Sequence, residues 1–232
     1  MVTFCALSSI LHLVVLSVDR YLMVCKPFIA GRIHSTYWNC VFALLLAWLL
    51  ALLFSIFPLL GRSRYALEAD GMRCSIDWNS ESLKDRFYVM LLFAFCFLLP
   101  ILIMSYSFFS VHRELRRMQS RAGDMFGLNS RAATDVITAE RRNMRLAIIL
   151  CSVFLLTWSP YAIISFWTAF FQHLAKVPVV LSTTAALIAK SSTIVNPLIY
   201  SFWNKVFRDR LQSSAVCKCL ARKSRVHEIE ST

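Results

Sequence analysis

Charge is scarce in this chain. Only 16% of its 232 residues are Asp, Glu, Lys or Arg, against 58% apolar and 13% aromatic, and its mean hydropathy is +0.59. A soluble domain carries about 25% charged residues. The deficit excludes an ordinary water-soluble domain and points to one bundle embedded in a bilayer. The opening run Met1 to Val18 is not expected to be a secretory signal peptide, since it has neither a basic start nor a small-residue cleavage site. Metal-ligand spacing is absent. Of Cys5, Cys25, Cys40, Cys74, Cys96 and Cys151 most lie in or beside apolar sequence, where cysteine is a small hydrophobe, and Cys217 and Cys219 are too close for a paired zinc knuckle. There is no internal repeat and no low-complexity tract. Neither Asp nor Glu occurs inside the apolar runs. The absence of inverted repeats and intramembrane acids argues against a transporter or channel.

Long apolar runs are what the chain does have. Five membrane-spanning helices are expected, at about 1–20, 37–60, 87–111, 146–171 and 177–203. They would form one domain, 1–203, followed by a cytoplasmic tail, 204–232. If the chain enters from the outer side, segments 19–36, 112–145 and 204–232 are cytoplasmic and hold 18 of the 25 Lys and Arg. The positive-inside rule selects that orientation. The net charge of +12 is then a membrane feature and not a nucleic-acid surface. Helix is expected to continue over His112 to Met118, with a loop over Gly123 to Thr134.

Lys190 falls inside the last span. A lysine there costs at least about 2.5–3.5 kcal/mol, so such a residue is a functional candidate, with pairing to a buried acid as the alternative. It lies 13 residues from the outer start of its span at Val177; Trp158 lies 13 from Phe171, and Pro100 lies 13 from Phe87. At 1.5 Å per residue, all three stand roughly 20 Å below the outer edge. An apolar, aromatic pocket with one amine is expected at that level. Desolvation favours a neutral lysine, and a neutral amine condenses with an aldehyde.

Three further constellations mark helix ends and breaks. Asp19-Arg20-Tyr21 closes the first span, where Arg20 can pair with Asp19 or with Glu140 across the bundle; headgroup-level surface charge is the alternative. Thr157-Trp158-Ser159-Pro160-Tyr161 puts a proline inside a helix, as a lever or as a simple bend. Asn196-Pro197-Leu198-Ile199-Tyr200 repeats the break near the inner edge. Beyond it, Phe207, Leu211 and Ala215 share a face among Lys205, Arg208 and Arg210, as in a short interfacial helix. Cys217 and Cys219 are then candidates for lipidation, or two free thiols.

In order and spacing these motifs resemble the rhodopsin-like G-protein-coupled receptors, from the inner part of the third helix to the cytoplasmic tail. Ala189-Lys190-Ser191, placed just before Asn196-Pro197, is similar to the opsins. The resemblance implies an all-α, partial seven-helix bundle in a multi-pass plasma-membrane or photoreceptor-type membrane protein. It implies retinal, 11-cis or all-trans, held by Lys190 as a Schiff base, with Trp158, Tyr161 and Cys96 around it. Asp19, Arg20, Tyr21, Glu140, Pro160, Asn196, Pro197 and Tyr200 would switch the receptor towards a heterotrimeric G protein, with arrestin and a receptor kinase as further partners.

The outer loop, from Ser63-Arg64-Tyr65 with Glu68 to Gly71-Met72-Arg73-Cys74-Ser75-Ile76-Asp77, is similar to the loop that plugs the opsin pocket. By that likeness Glu68 is a candidate counterion, Asp70 competes with it, and a solvated loop acid is the alternative. Cys74 would bond the outer end of the third helix, which is expected to lie outside this sequence with the first two helices. Departures from the family stand at Met72, Thr157 and Phe108, the last replacing a tyrosine, with Tyr106 nearby. The wording Trp158-Ser159-Pro160-Tyr161-Ala162 is similar to neuropsins and other non-visual opsins. Other readings are a retinal photoisomerase, a rhodopsin-like receptor without retinal, and a non-functional fragment.

Overall fold

The structure is a computed structural model that describes residues 2–34, 36–61, 63–67, 71, 74–80, 82–126, 131–171 and 173–203. Its elements in chain order are α1 (Val2–Cys25), α2 (Pro27–His34), α3 (Tyr37–Ile56), β1 (Tyr65–Leu67), β2 (Cys74–Ile76), α4 (Leu83–Phe93), α5 (Leu99–Phe126), α6 (Arg131–Phe171) and α7 (Val179–Trp203). Five stretches among the described residues are helical, long and apolar enough to cross a membrane: Thr3–Cys25, Tyr37–Leu60, Leu83–Arg121, Thr134–Phe171 and Val179–Ile199. The chain divides into two compact units, Met1–Lys190 and Ser191–Thr232. The interfacial helix and the thiols of Cys217 and Cys219 lie outside the described residues.

Helix α3 shows how these spans pack. Its buried residues are Ala47, Ala51 and Ser55, four apart on one face. Small side chains let helix backbones approach closely in a bilayer, where apolar burial alone gives little drive. On the same helix Leu45, Leu49, Leu52 and Leu53 are exposed, as a lipid-facing surface requires. Leu7 of α1, Ala51 of α3 and Cys96 meet in one cluster. On the inner side Val24, Val111, Leu115 and Met144 join α1, α5 and α6. On the outer side Ile76, Tyr88, Val89 and Ala169 tie β2 to α4 and α6.

Two features depart from the sequence-based expectation. The connector after the third span is more helical than expected: α5 runs to Phe126 and α6 starts at Arg131. At 41 residues, α6 is about 60 Å long, twice the hydrocarbon core of about 30 Å. Its inner half stands in water, where Ala, Arg and Glu favour helix by propensity. Arg117 Nη1 lies 3.3 Å from Glu114 Oε2, and Arg141 on α6 donates to Gln119 on α5. These contacts replace the bilayer as support.

The second departure is a π-helical turn, Ala94–Leu98, between α4 and α5. Leu99 N–H reaches back to the Ala94 carbonyl. Pro100 follows and has no N–H to donate, so the regular ladder is already broken there and a wider turn costs little.

The outer loop carries the two strands found among the described residues. β1 and β2 pair antiparallel, with Tyr65 opposite Ile76 and Leu67 opposite Cys74. Gly61, at φ 77, ends the turn Phe57–Leu60, and Gly71, at φ 65, lies between the strands. A β-carbon disfavours both conformations. Tyr65 Oη donates to the Ser55 carbonyl at 2.9 Å and so ties the hairpin to α3.

Candidate functional site: a lysine cavity beneath the outer hairpin

A cavity of about 930 Å³, counted out to its open side, lies within the first unit. Lys190 and Trp158 both line it. Helices α1, α6 and α7 contribute at helical spacing. From α1 come Thr3, Leu7 and Ile10; from α6 come Phe154, Trp158, Tyr161 and Ser165; from α7 come Ala186, Ala189 and Lys190. The π-helical turn adds Cys96 and Phe97. Pro100 is fully buried one turn further in and does not line the space. The hairpin closes the outer side with Cys74, Ser75, Ile76 and then Trp78.

Aromatic rings give the cavity its shape. Trp158 stacks on Phe154, with centroids 5.6 Å apart and planes at 18°. Tyr161 meets Trp158 edge-on at 6.3 Å, and Trp78 at 6.3 Å. Offset and edge-to-face pairs add about 0.5–1.5 kcal/mol beyond burial and fix ring orientation. Thr157, one residue before the tryptophan, donates to the Val153 and Phe154 carbonyls at 2.9 and 3.0 Å. Pro160 lies within α6 and cannot bond the Leu156 carbonyl.

Glu68 and Asp70, the loop carboxylates considered as counterions, lie outside the described residues. Asp77, at the hairpin's end, is only 9% exposed. Its Oδ2 accepts from Arg64 Nε at 2.6 Å and its Oδ1 from the Asn79 N–H at 3.1 Å. The hydrogen bond to Asp77 raises the Arg64 pKa above its ordinary value. Burial raises that of Tyr65. The Cys74 thiol is free and exposed among the described residues.

At the inner face Arg20 donates from Nη2 to Asp19 Oδ2 at 2.5 Å and from Nε at 3.1 Å. Its Nη1 stands 3.8 Å from Glu140 Oε2 on α6, an ion pair too long for a hydrogen bond. The other Asp19 oxygen lies 2.9 Å from His34 Nε2 on α2. Tyr21 packs against the Val24, Val111, Leu115 and Met144 cluster together with Phe108. Its ring lies 5.8 Å from that of Tyr106. Pro197 lies within α7, and Ser201 Oγ donates to its carbonyl at 2.8 Å. The side chains of Asn196 and Tyr200 lie outside the described set.

Thr3, Phe97, Phe154, Ser165 and Ala186 line the cavity although no motif marks them. For Phe154 and Ser165 helical periodicity carries a signal, since they stand four residues before and seven after Trp158 on one helix face. Trp78 carries none, because loop residues follow no period.

A family model, the 7 transmembrane receptor (rhodopsin family), matches residues 1–200. The visual pigment-like receptor peropsin of Homo sapiens is 31% identical over 93% of this chain and 61% of its own length. Melanopsin-A of Gadus morhua is 31% identical over 91% of this chain and 38% of its own. Pineal opsin of Petromyzon marinus is 29% identical over 96% and 48% respectively. The chain therefore spans about two fifths to three fifths of the length of these relatives. The crystal structure of squid rhodopsin superposes with a TM-score of 0.77 at 27% identity, covering 91% of this chain and 61% of that one. With a family match across nearly the whole chain and an opsin-like fold around a cavity lysine, this multi-pass membrane protein belongs to the rhodopsin family of seven-transmembrane receptors.

Proposed function

We propose that the chain is part of a light-activated receptor, holding retinal on Lys190 and signalling through a heterotrimeric G protein. The observation that carries this reading is Lys190 itself, a lysine opening into an apolar, ring-lined cavity at mid-span beside Trp158. Ligand pockets have mostly apolar walls and a few placed polar groups. A ring-lined cavity with one amine meets that description for a polyene aldehyde.

Retinal, when bound, supplies light absorption and a change of shape. The residues do the rest. Lys190 would hold the aldehyde end, with loss of water. Phe154, Trp158 and Tyr161 would confine the chain and receive the push, because three ring contacts leave them little room. The hairpin excludes water from above. Pro160 lets the inner part of α6 move as a lever. Arg20 holds that part only through the 3.8 Å pair with Glu140, so a small change of preference between two states suffices to release it. Asp19, Tyr21, Asn196, Pro197 and Tyr200 would take part in the same switch. Arrestin and a receptor kinase are further partners on this reading, and Glu68 is the candidate counterion.

The test is a dark incubation of membranes with 11-cis-retinal, borohydride reduction and mass spectrometry. A retinyl adduct confined to Lys190 is expected. Folded protein with no adduct would overturn the reading.

A further inference from the structure

We propose that Cys40 is a site of S-acylation by a long-chain acyl thioester, with His34 as its base and Asp19 holding the imidazole. Three helices bring these side chains together at the end of the bundle that carries Arg20 and Glu140. Asp19 lies on α1, His34 closes α2, and Cys40 stands in the first turn of α3. Asp19 Oδ1 is 2.9 Å from His34 Nε2. Cys40 Sγ is 3.4 Å from His34 Nδ1. Asn39 fixes the approach of α3 to α2, because its Nδ2 donates to the Ile33 carbonyl at 3.0 Å. Asp19 and Cys40 thus meet opposite edges of one ring, a relay and not a chelate.

The chemistry follows from the two ring nitrogens. A neutral imidazole has one donor and one acceptor nitrogen. The Asp19 carboxylate accepts from Nε2–H, so Nδ1 is the acceptor and faces the thiol. A nucleophile beside a base that a third group orients is the arrangement of covalent catalysis. Nδ1 takes the thiol proton and Sγ attacks the thioester carbonyl carbon. The bond to the leaving sulfur breaks, and the proton departs on the released thiol. One C–S bond forms and one breaks, with no oxidant or reductant. The neighbourhood selects a lipid-like acyl donor over a small polar electrophile. Tyr37 and Leu44 stand three residues before Cys40 and four after it, on its side of the helix, and both are exposed. An acyl chain would extend along them at the edge of the apolar span Tyr37–Leu60. His34 is exposed and Cys40 half-buried, so the relay is open to the donor.

The inference does not rest on retinal at Lys190. Its test incubates the purified full chain in detergent with palmitoyl coenzyme A and follows acylation of each cysteine over time by peptide mass spectrometry. Cys74 is the internal reference, since it is more exposed than Cys40 and no histidine bonds it among the described residues. Cys40 should acylate at least about tenfold faster than Cys74, short of the roughly 100-fold that a base in an enclosed site provides. His34→Gln and His34→Ala should each bring Cys40 down to the Cys74 rate, and added imidazole should restore the alanine variant. Asp19→Asn should slow Cys40 on its own and change nothing further in His34→Ala, since Asp19 acts only through the imidazole. The His34 side chain is 36% exposed, so its replacement leaves no buried gap. A Cys40 rate equal to that of Cys74, or no acylation of Cys40, overturns the proposal, as does a Cys40 rate indifferent to His34. A slow His34→Ala protein that imidazole does not rescue also overturns it, because the ring then only shapes the turn. So does an Asp19→Asn effect of the same size with and without His34. All these outcomes are read at Cys40 and leave the retinal reading of Lys190 standing.

Discussion

Arg20 on α1 and Glu140 on α6 face each other at 3.8 Å, while the same guanidinium holds Asp19 at 2.5 Å. The three side chains are 22–25% exposed. The long contact is thus partly screened, and it couples two helices whose inner ends share one apolar cluster. Such a pair contributes about 1 kcal/mol or less.

Glu140→Gln should therefore shift the balance between closed and open inner faces by about fivefold at most. Spin labels on the inner ends of α1 and α6 would read the shift as a larger long-distance population. If the chain couples to a G protein, basal nucleotide exchange should rise by the same factor.

Asp77 and Arg64 are unequal partners. Asp77 is 9% exposed and also caps the Asn79 N–H, whereas the Arg64 side chain is 69% exposed. Asp77→Ala removes a nearly buried carboxylate that accepts from both Arg64 and the Asn79 N–H, and should cost about 1.5–3 kcal/mol, as hydrogen bonds to charged groups do. Arg64→Ala should cost under about 1 kcal/mol. Thermal unfolding in detergent with ligand-free protein compares them, and equal losses would sink the argument.

Tyr65 gives a pH dependence. Burial raises its pKa above the ordinary value of about 10. The folded state then keeps a proton that the unfolded state has lost, so stability falls as pH rises from about 10 towards the folded pKa. Tyr65→Phe also loses the bond to the Ser55 carbonyl, at a cost of about 1 kcal/mol at neutral pH. Melting curves should show the variant below the parent at pH 7 and the gap narrowing above about pH 10.

Phe154 supports Trp158 by stacking at 5.6 Å. Phe154→Ala should free the indole and cost about 3 kcal/mol or more through the cavity left behind, since Phe154 is 3% exposed. Phe154→Leu keeps most of the volume and should cost less. If retinal binds at Lys190, its absorption band should broaden more in the alanine variant than in the leucine one. The reverse order would show that ring position does not depend on this neighbour.

The five apolar spans and the place of Lys190 in the last of them are legible in the order of amino acids alone. Those properties reside in contiguous residues: apolar run length, the placement of Lys and Arg, and a fixed rise per residue. The loop expected over Gly123 to Thr134 is nonetheless too long, because helix propensity continues past the membrane where no apolar signal reports it.

The cavity needed the tertiary structure. That Lys190 and Trp158 share one space depends on how helices rotate about their axes, and depth alone does not specify rotation. Pro100, at the expected level, does not line the cavity. Its missing N–H acts one turn away, through a π-helical turn that presents Cys96 and Phe97. The hairpin's seat above the cavity rests on Tyr65 reaching the Ser55 carbonyl. Span chemistry is local and additive, and so legible residue by residue. A cavity is the space several helices leave between them, so its walls are decided only when they pack.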